Sequence, residues 1–221
     1  MKLFLNGIVK FTVGLLLVCA MLFLPAGTLN FVNGWLFIVL LFVPMVLFGA
    51  ILFIKSPKLL KKRLDVKEKH KTQKGVVGIS AILFIAGFIV AGLDFRFCWS
   101  NVPRLVVIIA SLILLTSYAL YMEVMRENIY LSRTVKVEEN QKVIDKGLYS
   151  IVRHPMYSVT VWLFLSIPLV LGSWWALICF VPYIAVIAVR IIDEEKLLGT
   201  ELDGYEEYKK RVKYRLIPYI W

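Results

Sequence analysis

The sequence predicts an all-α membrane protein: about four transmembrane helices, then a C-terminal helical hairpin and a short cytosolic amphipathic tail. Three observations predict it. Hydrophobic residues make up 60% of the 221 residues, against roughly 45–50% in ordinary soluble domains. They are gathered into long runs almost free of charge, which is the signature of chains that cross a bilayer. The 26 Lys and Arg residues fall into a few segments between those runs, so topology can be read from them.

The first apolar run covers residues 3–24 and contains Lys10; the others cover 31–54, 75–93 and 105–122. Each is close to the ~20 residues that a helix needs to span the hydrocarbon layer. A last stretch, Met156 to Ile192, is too long for one span, and Pro168 and Leu171-Gly172-Ser173-Trp174 interrupt it. It reads as a helical hairpin, re-entrant or spanning, that turns near Gly172-Ser173. Residues 1–122 thus hold four spans and a basic cytosolic loop, 55–74. Residues 123–221 form a cytosol-facing region with the hairpin at 156–192 and a tail at 193–221. The start resembles a signal peptide in having Lys2, an apolar core and Pro25-Ala26-Gly27. Further spans follow, and Leu16-Leu17-Val18 before Cys19 does not suit a lipoprotein cleavage site, so a retained first helix is expected.

Orientation follows from the basic residues. Residues 55–74 carry nine, Glu123 to Arg153 carry six, and Arg190 onward carry seven. With Lys2 and Lys10 these make 24 of the 26, leaving Arg96 and Arg104 for the other connections. A cytoplasmic N-terminus and a final hairpin put every basic segment on one face, and the C-terminus on that face too.

The formal net charge of +11 is explained by such loops lying against anionic lipid. No nucleic acid-binding motif accompanies it. Cys19, Cys98 and Cys179 are far apart, and the only histidines are His70 and His154, so neither a disulfide framework nor a metal site is expected. The small-xxx-small spacing at Gly87 and Ala91 suits helix packing, but such spacing also arises by chance. Asp94-Phe95-Arg96 reads as an interfacial ion pair with aromatic anchors at the end of the third span.

Reactive side chains begin at Lys146, where residues 146–157 read KGLYSIVRHPMY. Gly147 permits a turn. Pro155 suits the first turn of a helix, with His154 at the N-cap. Amide groups at such a start attract anions, Arg153 offers a bidentate carboxylate clamp, and His154 can donate or accept. Tyr149 and Tyr157 add aromatic faces. Locally, an interfacial helix start with a snorkelling arginine and a tyrosine belt fits equally well. The second cluster is Arg190 and Asp193-Glu194-Glu195. Arg190 and Glu194 are spaced to pair on one helix. Acids at a helix C-terminus oppose its dipole, so either the helix continues or they have another task. The hairpin returns Glu194 and Glu195 to the depth of His154. Tyr205 and Tyr208, one turn apart, belong to a tail that reads as a surface anchor.

Taken together, Gly147 and Tyr149, Arg153 to Tyr157, Glu194 to Leu198, Tyr205 and Tyr208, and Pro218 resemble, in order, the motifs of the isoprenylcysteine carboxyl methyltransferase family, a group related to membrane phospholipid methyltransferases. The resemblance covers about residues 140–221. It implies S-adenosylmethionine as methyl donor, in a cytosol-facing pocket roofed by the tail, and a lipophilic acceptor arriving from the bilayer. It maps donor binding onto Gly147, Tyr149, Arg153, His154, Pro155, Tyr157, Glu194, Glu195, Tyr205 and Tyr208, with Arg153, His154 and Glu194 expected to act in catalysis. The residue chemistry agrees: cations or helix amides for the donor carboxylate, acids for its ammonium or ribose, and tyrosine faces for its sulfonium. Two other expectations compete with this one. Sterol reductases have a similar C-terminal architecture and use a nicotinamide cofactor, though they are longer, and a non-catalytic protein could use the charged end to bind lipid or a partner.

Overall fold

A computed structural model of the chain describes residues 2–64, 71–131, 137 and 139–221. His70 of the basic loop and residues 132–136 lie outside the described residues. Among the described residues all regular structure is helical. The elements are α1 (Lys2–Ala26), α2 (Val32–Lys55), α3 (Pro57–Leu64), α4 (Lys71–Phe97) and α5 (Arg104–Glu127), then a 3-10 turn at Gly147–Ser150. There follow α6 (Pro155–Val170), α7 (Trp174–Phe180), α8 (Tyr183–Glu201) and α9 (Tyr205–Arg211).

Five segments are long and apolar enough to cross a membrane: α1, α2, α4, α5 and the α7–α8 stretch Trp174–Glu201. No more than 28% of the most apolar window of any of them is buried in the protein, which leaves broad apolar faces for lipid. The molecule is an integral multi-pass membrane protein. The sixth limb, α6, has only 16 residues. The hairpin turns where expected: Gly172 adopts a left-handed φ of +79°, and the Ser173 hydroxyl caps α7 by accepting the Ala176 N–H at 2.9 Å. The returning limb is not one unbroken helix. It is interrupted at Val181-Pro182, where proline lacks the N–H that would continue the ladder. It then runs past Ile192 to Glu201, so the three acids lie within a helix and not at its end.

α5 packs along α6, α1 along α4, and α4 against α7 and α8. Leu22, Phe37, Leu114, Ile167 and Phe180 are central to the main core. Phe84 meets Phe164 and Phe180 edge-on at 4.5 and 5.1 Å between ring centroids. Two glycines of α4, Gly87 and Gly92, allow close approach of different helices. A Cβ on Gly87 would lie 2.3 Å from the Phe180 ring, and one on Gly92 would lie 2.5 Å from the Leu22 carbonyl oxygen. Small residues that let helices meet this closely are a membrane-protein device.

The end of the bundle opposite the basic segments is closed by Asp94, which is 2% exposed. Its carboxylate accepts the Ser100 N–H and the Ser100 hydroxyl, each at 2.7 Å, and the Ser173 hydroxyl. This replaces the expected ion pair with Arg96. Asp94 instead ties the end of α4 to the following loop and to the hairpin turn.

Candidate active site

Four elements meet at the basic end: the 147–150 turn, the start of α6, the middle of α8, and α9 with the segment after it. Gly147 has a φ of +58°, and a Cβ there would sit 1.7 Å from the Glu127 carboxylate. That carboxylate accepts the Leu148 N–H at 3.0 and 3.1 Å. Glycine is therefore required by the turn and by its contact with the end of α5. The turn presents Tyr149, whose hydroxyl accepts from Asn128 at 3.0 Å and whose carbonyl accepts the Tyr208 hydroxyl at 2.7 Å.

His154 is the N-cap of α6 and Pro155 its first residue. The His154 carbonyl accepts the N–H groups of Tyr157 and Ser158 at 3.0 and 3.2 Å, so most of the first-turn amides are already satisfied. Behind the helix start lies a buried ionic hub. Glu195, 5% exposed, accepts from Arg153 Nε at 2.7 Å and Arg215 Nε at 2.8 Å, with His154 Nε2 at 3.3 Å. Arg153 Nη1 also donates to the Val212 and Lys213 carbonyls at 2.8 and 2.9 Å. Arg153 thus joins three chain segments, and its Nε and Nη1 are committed within the protein.

Beside the hub is a cleft that opens to solvent. Tyr149, Arg153, His154, Tyr157, Glu194, Tyr205 and Tyr208 line it, while Gly147, Pro155 and Glu195 do not. Adjacent acids on α8 therefore diverge: Glu195 turns into the hub and Glu194 into the cleft. The Tyr157 hydroxyl links α6 to α8, accepting from Arg190 Nε at 2.8 Å and donating to Glu194 Oε2 at 2.5 Å. The Arg190 guanidinium also lies 5.8 Å from the Tyr157 ring centroid.

Tyr205 and Tyr208 form the far wall, 4% and 2% exposed. Burial raises the phenols of Tyr149, Tyr205 and Tyr208 above the ordinary tyrosine range, so all three are neutral donors at physiological pH. The Tyr205 hydroxyl is buried and has no hydrogen-bond partner. A buried hydroxyl left without a partner costs roughly 1–3 kcal/mol, so this one is a ready contact for a polar ligand.

Sequence reasoning missed Arg190 as a lining residue, and missed the wall formed by Asn128 and residues 141–144. Arg190 carried a signal, since it lies one turn before Glu194 and shares its face. The 141–144 wall carries no motif.

Residues 105–201 match the family model for phospholipid methyltransferase. No curated protein matches the chain. The match runs from α5 through α8, so it contains the cleft residues up to Leu198 and leaves out Tyr205, Tyr208 and Arg215. That segment, with its Arg153–Tyr157 tract and its Glu194-Glu195 pair, is similar to membrane phospholipid methyltransferases.

Proposed function

We propose that the protein is an S-adenosylmethionine-dependent methyltransferase acting on a lipophilic acceptor, through carboxyl O-methylation of an isoprenylcysteine-like molecule or methylation of a lipid. The observation that carries this reading is the cleft at the basic end of the family-matched segment, where Glu194, two guanidinium groups, Tyr149, Tyr157, Tyr205 and Tyr208 meet and the Tyr205 hydroxyl has no partner. By the positive-inside rule that end, with both termini, faces the cytoplasm, where the donor is made.

The donor set fits the cofactor. Glu194 suits its ammonium or ribose hydroxyls, and Arg190 or His154 suits its carboxylate. The tyrosine faces suit a sulfonium, and Tyr205 Oη gains the partner it lacks. When bound, the cofactor supplies an electrophilic methyl group; the protein supplies position. Tyr157 fixes Glu194 and Arg190 relative to each other, and Glu195 fixes Arg153 and His154. Rigid placement of two reactants can contribute up to roughly 7–11 kcal/mol. A carboxylate acceptor needs no base. An amine acceptor needs one, and His154 in the cleft wall and Glu195 beside it are the candidates.

Binding of radiolabelled S-adenosylmethionine to the purified, folded protein tests the reading, with NADPH as competitor. Saturable binding that NADPH does not displace is expected. Folded protein that binds NADPH, or neither compound, overturns the assignment. A methyl-transfer screen over membrane lipid extracts then identifies the acceptor.

A further inference from the structure

Residues 212–221 run back from α9 across the start of α6, and three kinds of contact fix them there. The Arg153 and His154 N–H groups donate to the Tyr214 and Arg215 carbonyls, each at 2.9 Å. Arg215 reaches Glu195, and the Ser158 hydroxyl donates to the Leu216 carbonyl at 2.5 Å. Leu216, Ile217 and Trp221 pack on Tyr157, Val161, Ile187 and Ile191. The segment then folds on itself, with the N–H groups of Arg215, Leu216 and Ile217 all donating to the Trp221 carbonyl at 2.8–3.1 Å.

This fold turns two residues outward. Tyr219 adopts a left-handed φ of +66°, which is uncommon for a bulky side chain. Tyr219 and Ile220 are 88% and 76% exposed, and Tyr219 is the most exposed large apolar side chain among the described residues. Their surroundings identify the medium. Ile187 and Ile191, on which the strap's inner residues pack, lie within the membrane-crossing segment Trp174–Glu201. Val189 and Ile192 of the same helix are exposed apolar residues. Exposed Lys210 and Lys213 precede the tip. An apolar tip carrying a tyrosine, packed on a segment long and apolar enough to cross a membrane and preceded by lysines, has the composition of an interfacial insertion.

We propose that residues 212–221 are a bilayer-seated strap: Tyr219 and Ile220 insert into the lipid interface on the site-bearing side, and the seated strap holds Arg153 and His154 through its backbone pairing and through Arg215 on Glu195. Insertion stands on the geometry alone; the link to methyl-donor binding rests on the function proposed above.

The test uses the full chain with Cys19, Cys98 and Cys179 replaced by Ala, labelled with an environment-sensitive fluorophore at Ile220→Cys. It is reconstituted into phosphatidylcholine–phosphatidylglycerol vesicles. Doxyl-labelled lipid should quench this probe more strongly than aqueous iodide, and the reverse should hold for a probe at Glu207→Cys on the exposed face of α9. Iodide-dominated quenching at residue 220 overturns the proposal. Protection from both quenchers also overturns it, because another protein chain would then cover the tip. In the Tyr219→Ser/Ile220→Ser variant, labelled S-adenosylmethionine should dissociate about fivefold faster, a modest coupling by general standards. An unchanged rate refutes the link to the pocket. If even the unsubstituted chain binds no methyl donor, the functional reading fails while the quenching result still decides insertion.

Discussion

The two ends of the bundle each bury one carboxylate, and they use it differently. Asp94 is held by a backbone N–H and two serine hydroxyls, all neutral donors close to the hairpin turn. Glu195 is held by two guanidinium groups and lies against an imidazole, contributed by the start of α6 and by the strap after α9. Neutral donors satisfy a carboxylate and staple loops together. Buried cations around a carboxylate do more: each depends on it for compensation, so one side chain fixes the position of several charged ones. The first arrangement closes a surface. The second stands behind a cleft with an unpartnered hydroxyl.

The largest expected effect breaks the hub. Glu195→Ala leaves Arg153 buried without its carboxylate and releases Arg215. Removing one partner of a buried ion pair typically costs about 3–5 kcal/mol, so the thermal unfolding midpoint in detergent should fall sharply. Glu195→Gln, which keeps the shape, should recover part of the loss. Asp94→Ala at the other end should cost about 1–3 kcal/mol, the scale of stranding buried hydroxyl and amide donors. It should lower the same midpoint while leaving methyl-donor affinity unchanged, and an affinity loss would show that the ends are coupled. Glu194→Ala and His154→Ala should each weaken S-adenosylmethionine binding at least tenfold, about 1.4 kcal/mol, measured by equilibrium binding. Unchanged affinity in both moves the site elsewhere. Lys61→Ala on α3 should change neither stability nor donor affinity.

The backbone route to the site was legible in the sequence because it rests on local chemistry. Pro155 starts α6 as a proline at the first helical position should, and Gly172 turns the hairpin with the left-handed φ that glycine permits. The return of the acids to the level of His154 then follows from the hairpin itself. Side-chain direction was not legible. Glu194 and Glu195 are about 100° apart around α8, and only packing decides that one faces the cleft and the other the hub. Arg215 joins Glu195 across 20 residues of sequence, and Gln73 reaches Asp193 across 120. Neither spacing leaves a periodic trace. The Gly87–Phe180 contact was visible as a pattern but not as an interface, since a small residue on a helix does not announce what approaches it.

The shortness of α6 has a physical consequence for chemistry at its start. Sixteen residues rise about 24 Å, short of the ~30 Å hydrocarbon layer, whereas neighbouring α5 has 24 residues. A helix that falls short draws the water boundary inward around it, thinning the bilayer locally. Such thinning would set His154 and the cleft below the general headgroup plane. Under the function proposed above, a lipid-borne acceptor would bring its polar end to that depth while its tail stays in the leaflet.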